Sequence, residues 1–168
     1  MDILQVILRI LHIIFGVSWA GALFFNVLVL EPRLRRLGPA IQNPVMGSLM
    51  PVMIPFMLVS ALVTIVSGVA MTLILRWGAL DTLFVTGWGW SMIISFITTI
   101  AAAIIGFGVV IPTGRRLAAL AGSLQGRPPT PEEAQQLGGL SARITTLTRI
   151  NFVLLLSAVV TMAIARFV

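Results

Sequence analysis

The sequence predicts an all-α fold, a bundle of four transmembrane helices, and three observations predict it. Of the 168 residues, 58% are hydrophobic and 10% charged, whereas a soluble globular chain is about half apolar and a quarter charged. Four apolar runs, at 3–30, 51–75, 88–111 and 144–167, each have the roughly 20 helical residues needed to cross a hydrocarbon core. The eleven basic residues are all arginine, and most gather at the ends of these runs. With a mean hydropathy of +1.08, too little polar surface remains to wrap a water-soluble core. An ordinary cytosolic enzyme, a coiled coil and a disordered chain are excluded.

The formal charge is +6, yet the arginines lack the aromatic interleaving of a nucleic-acid surface, so the expected partner is the lipid bilayer. Cysteine is absent, which removes disulfides and thiolate chemistry. Lysine and tyrosine are absent too, which removes Schiff bases, a P-loop lysine and tyrosyl radicals.

Each apolar run must be helical, because in lipid a segment has to satisfy its own backbone hydrogen bonds. Stretches such as AAAIIGFGVVI at 101–111 do not alternate as barrel strands would. The first run is too long for the apolar part of a signal peptide and is broken by Arg9, so it is expected to be a retained span. The loop at 31–50 carries Arg33, Arg35 and Arg36 against Glu31. The second run contains Pro51 and Pro55, and the short connection after it holds Arg76 and Asp81 beside Trp77, with Trp88 and Trp90 completing an aromatic anchor.

The loop at 112–143 carries Arg115, Arg116, Arg127 and Arg143, with Arg149 just inside the last span. The positive-inside rule then makes both arginine-rich loops cytoplasmic and both termini external, in a multi-pass protein of the cell's inner (plasma) membrane. Within that loop TGRRLAALAGSLQG has the pattern of a short amphipathic helix. A second short helix would be capped by Thr130, with Pro131 at its first position and Glu132 and Glu133 in its first turn. A plain connector with a solvated face competes with both. VLEPRLRRL at 29–37 matches VVIPTGRRL at 109–117, which suggests two parallel-related helical hairpins. Convergence on proline and arginine at helix ends is the alternative.

An ionisable or polar residue inside a span is expensive and marks a functional candidate. On the first helix Gln5, Arg9, His12, Gly16, Trp19 and Asn26 follow one another at intervals of four, three, four, three and seven. These intervals place them on one stripe that must face the bundle interior or a partner. His12 lies about 13 Å from the helix start, with Arg9 one turn nearer the surface. An imidazole below and a cation above suit haem b with its propionates near the headgroups. The competing reading is a neutral histidine hydrogen-bonded between helices, with Arg9 reaching to the interface.

Further cofactor contacts would come from Trp19 and from Met71 or Met162, either of which could complete His/Met ligation. Ser67, Thr98, Thr99 and Thr161 are expected at similar depth. Two His12 residues could instead meet across a homodimer. Met46, Met50, Met53 and Met57 step at four, three and four; thioethers suit copper(I), but flexible packing explains such residues as well. The small residues Ser60, Thr64, Ser67 and Gly68, with Ser95, Ala102 and Gly106, allow close helix approach or contact with another membrane subunit. No acidic residue lies within a span and there is no second histidine. No catalytic residue is therefore expected, and an autonomous enzyme is not.

The segment LHIIFGVSWAGALFF at 11–25 resembles the first helix of a superfamily of small membrane proteins. It includes the copper-resistance protein D (CopD) domain and the haem-dependent protoporphyrinogen IX oxidases. The shared pattern is His12, Trp19, Ala20, Gly21 and the aromatic exit Phe24 and Phe25. The resemblance implies a four-helix bundle and His12 as a haem ligand. The oxidases use further histidine and lysine residues that this chain lacks, and Asn26 stands where they carry a basic residue. Porphyrinogen oxidation is therefore not implied. Three expectations follow: a b-type haem or electron-transfer protein, a cofactor-free accessory subunit of a larger membrane complex, and a copper-handling membrane protein.

Overall fold

The structure is a computed structural model that describes residues 3–124 and 127–168. Asp2, Gln125 and Gly126, and the side chains of Arg76 and Trp77, lie outside the described residues. Four long helices make up the fold: α1 (Ile3–Leu37), α2 (Pro39–Arg76), α3 (Gly87–Ser123) and α4 (Pro131–Ile164). There is no strand among the described residues. The chain is an all-α bundle whose four helices are each apolar and long enough to cross a membrane.

The helices outrun the apolar segments of the sequence. Each has 34 residues or more and so measures about 50 Å, against a hydrocarbon core of about 30 Å. The surplus lies at the arginine-rich end, where most of 31–50 and 112–143 turns out to be helical. The two short helices expected in the second loop are continuations of α3 and α4. The Thr130 cap is as expected: its hydroxyl accepts from the Glu133 N–H, the Glu133 carboxylate accepts from the Thr130 N–H, and Pro131 opens the helix. Pro44, Pro51 and Pro55 lie inside α2 without ending it, as transmembrane helices tolerate. Between α1 and α2 the chain turns at Gly38, whose φ of 81° requires a residue without a Cβ.

The repeated segments share a backbone feature. Asn26–Leu30 of α1 and Ile104–Val110 of α3 are wound as π-helix. In each, the residue before the proline donates its N–H five residues back, Glu31 to the Asn26 carbonyl and Ile111 to the Gly106 carbonyl. Pro32 and Pro112 supply no N–H, and their rings would press on the carbonyl four residues before them. Widening the turn relieves that pressure and lets the helix continue. The same wide turn thus falls in the same register of both repeats.

α1 packs along α2, and α3 along α4, while contact between the two hairpins is sparse. That contact is aromatic at mid-bundle and adds a hydrogen bond from Arg35 to the Thr145 hydroxyl at the arginine-rich end. Trp19, 2% exposed, stacks on Phe107 with ring centroids 6.2 Å apart, and Phe24 meets Phe152 edge-on at 4.9 Å. Leu23, Ala61, Ala102 and Leu155 fill the space around these rings. In lipid there is little hydrophobic drive between helices, so close packing of this kind carries the association.

Candidate functional site

The stripe on α1 faces inward, with one exception. Trp19 and Leu23 are buried, and Gln5, His12, Gly16 and Asn26 are half-buried. Arg9 is exposed. It sits about 60° around the helix from His12, at the stripe's edge, and a guanidinium without an ionic partner is costly to bury.

His12 is held from one side by α2. Its Nδ1 lies 2.8 Å from the Thr64 carbonyl oxygen, with the Ser67 hydroxyl at 3.4 Å. A carbonyl can only accept, so Nδ1 carries the proton and donates. In the neutral ring Nε2 is then the unprotonated nitrogen, the one that keeps an in-plane lone pair. Gly68 makes the bond possible. A Cβ there would stand 2.9 Å from Cε1 and 3.2 Å from Nδ1 of His12, too close for the ring to remain. Without that side chain, the Thr64 carbonyl one turn earlier is open to a second donor, and a carbonyl has two lone pairs to offer. Gly16 similarly brings α1 against the Thr64 side chain, whose hydroxyl is turned back to the Ser60 carbonyl at 2.7 Å.

The other hairpin has a matching clasp without a ligand-type side chain. Ser95 of α3 meets Thr161 of α4 hydroxyl to hydroxyl at 2.6 Å, and Ser95 also donates to the Ala158 carbonyl at 3.3 Å. Thr98 turns its hydroxyl back to the Ile94 carbonyl, and Thr99 is buried. Searches against family models, curated proteins and solved structures found no match. The reading of the site therefore rests on its own geometry.

The hydrogen-bond partners of His12 among the described residues, Thr64 and Ser67, belong to α2, as does Gly68 against its ring. Met71 is half-buried one turn beyond Gly68, and Met162 on α4 is 37% exposed. Trp19 belongs to the aromatic contact between hairpins. Met46, Met50, Met53 and Met57 are half-buried along α2, toward the arginine-rich end. Among the described residues no three His, Cys, Asp or Glu side chains form a metal-binding group.

Sequence reasoning passed over two polar groups here. Asn151 of α4 is 5% exposed and Ser60 of α2 is 1% exposed, and the Asn151 Oδ1, the Ser60 Oγ and the Asn26 Oδ1 have no hydrogen-bond partner among the described residues. Asn151 packs against the π-helical turn at Gly106, where a Cβ would stand 2.9 Å from its Nδ2. An asparagine inside an apolar run is the available signal for Asn151, whereas Ser60 looks in the sequence like any small packing residue.

Proposed function

We propose that this protein is a membrane-embedded b-type haem protein or electron-transfer subunit, with His12 Nε2 as an axial ligand. The observation that carries the reading is the His12–Thr64 bond. Ligating histidines characteristically donate their other ring N–H to a carbonyl or carboxylate, which fixes the tautomer and raises the ligand's basicity. Gly68 admits the imidazole and the Thr64 carbonyl takes the Nδ1 proton, which leaves Nε2 as the ring atom that would coordinate. Bound haem would supply one-electron chemistry. The chain's part is to orient the imidazole and, through exposed Arg9 one turn nearer the termini, to hold a propionate. Met71, Met162 or the His12 of a second copy in a homodimer would provide the sixth ligand.

The arginine-rich end is assigned to the cytoplasmic side of the inner membrane, with both termini outside. Because the chain has no cysteine, a single cysteine introduced at Arg36 would report that topology by labelling with an impermeant maleimide.

Haemin titration of the purified protein tests the cofactor reading. Saturable binding near one haem per chain, or one per two chains for a shared haem, is expected, with loss of the Soret shift in His12→Ala. Equal titration of wild type and variant would overturn it. A second reading is favoured by the Ser95–Thr161 clasp, which joins α3 to α4 much as His12 joins α1 to α2. On that reading His12 is an interhelical clasp in a cofactor-free accessory subunit, and no saturable haem binding occurs.

A further inference from the structure

At the arginine-rich end a groove of about 420 Å³ opens between α1 and α4, lined by Arg35, Gly138, Ser141, Thr145, Thr146 and Arg149. Arg35 is preset. Its Nη2 reaches the Glu31 carboxylate at 2.6 Å and also donates to the Thr145 hydroxyl across the helix gap. That engages one nitrogen of the guanidinium and leaves Nε and Nη1 for a ligand. Glu31 offsets the charge of Arg35, so Arg149, exposed and in no ion pair among the described residues, carries the positive balance. Ser141 and Thr146 add exposed hydroxyls.

Gly138 lines the groove, and a Cβ there would meet nothing within 4 Å. From Gly138 to Arg149 the face of α4 runs about 16 Å, and beyond Arg149 it continues as the exposed apolar residues Ile150 and Val153. The polar groove therefore passes directly into a lipid-facing surface.

We propose that this groove is a binding site for a phosphate group, with Arg35 and Arg149 as its cationic contacts and Ser141 and Thr146 as hydroxyl contacts, the Thr145 hydroxyl being spent between Arg35 and Glu31. Paired arginines suit phosphate oxygens because their planar donors can bind bidentately. The phosphate could belong to an anionic lipid headgroup or be free in solution. Basic recesses at the cytoplasmic ends of membrane helices are suited to the first.

The test uses the full chain in phosphatidylcholine nanodiscs containing a fluorescent phosphatidic acid, with quenching read at the protein, and inorganic phosphate titrated in a parallel arm. Arg149→Gln should weaken the preference for phosphatidic acid about ten-fold, as loss of a charged hydrogen bond does. Arg166→Gln, with the same charge change at the other end of α4, should leave it unchanged. Gly138→Leu changes no charge and improves helix propensity, and it should block the groove. Sensitivity to these variants in the lipid arm alone identifies a headgroup site; competition by inorganic phosphate with the same sensitivities identifies a soluble phosphate. Equal binding by Arg149→Gln, Gly138→Leu and Arg166→Gln in both arms overturns the proposal.

Discussion

Replacing Gly68 by alanine tests the geometry around His12 without assuming any cofactor. The new Cβ would fall 2.9 Å from Cε1 of the imidazole and 3.2 Å from Nδ1, well inside contact distance, so the ring has to move. Movement breaks the 2.8 Å bond to the Thr64 carbonyl. Interhelical hydrogen bonds in membranes average about 0.6 kcal/mol, and overpacking adds about 1–3 kcal/mol. Against this, alanine improves on glycine in a helix by about 1 kcal/mol. The expected net effect is a loss of about 1–2 kcal/mol. It should be measured as reversible unfolding in bicelles. The decisive comparison is the double-mutant cycle with His12→Ala. Once the ring is gone, only the helix-propensity gain remains, and Gly68→Ala should stabilise by about 1 kcal/mol. Equal destabilisation in both backgrounds would show that Gly68 is required by something other than the imidazole.

Other consequences are independent of that site. Trp19→Ala empties the contact with Phe107 and should cost about 3 kcal/mol, the low end for tryptophan because transfer from lipid contributes little; bicelle unfolding would measure it, and a loss below about 1 kcal/mol would mean that the hairpins associate elsewhere. Asn151→Leu removes a buried amide oxygen that has no partner among the described residues, so stability should be unchanged or rise by about 1 kcal/mol, whereas a clear loss would reveal a partner for Asn151 in the membrane. The Glu133 carboxylate, paired in two-fold fashion with Arg127 and also accepting the Thr130 N–H, is lowered from 4.5 to about 2. A lowered carboxylate stabilises the folded form above its unfolded value, so the first turn of α4 should hold at neutral pH and loosen as pH falls from about 4.5 toward 2. Amide protection at 132–134 would follow this, and a flat protection profile in wild type, or an unchanged one in Glu133→Gln, would contradict it.

The parts of the fold legible in the sequence are those with a local physical cause. Apolar length marks the helices, the Thr130–Glu133 pair marks the start of α4, and the repeat around Pro32 and Pro112 reappears as two matching wide turns. Helix extent beyond the bilayer was hidden, because proline and arginine at 31–50 and 112–143 read as loop signals. Proline at the opening of a helical segment, and helix continued through a π turn, evade that rule. At the site, the α1 stripe was legible from its period, and only Arg9 at its edge turned outward. The acceptor for His12 was not, since a backbone carbonyl has no sequence signature. Gly68 was visible as a small residue, but nothing in the linear order says that an imidazole lies over it. The groove between Arg35 and Arg149 needs two helices far apart in sequence and appears only in three dimensions.

With Nδ1 held by the Thr64 carbonyl, His12 is proposed to offer Nε2 to haem iron. A reduced-minus-oxidised visible spectrum, taken on protein purified gently from haem-replete cells beside His12→Ala, addresses it most directly. A sharp α-band at near-stoichiometric haem is expected in the wild type, and none in the variant. A colourless wild type from such cells, or an α-band that survives in His12→Ala, would contradict it.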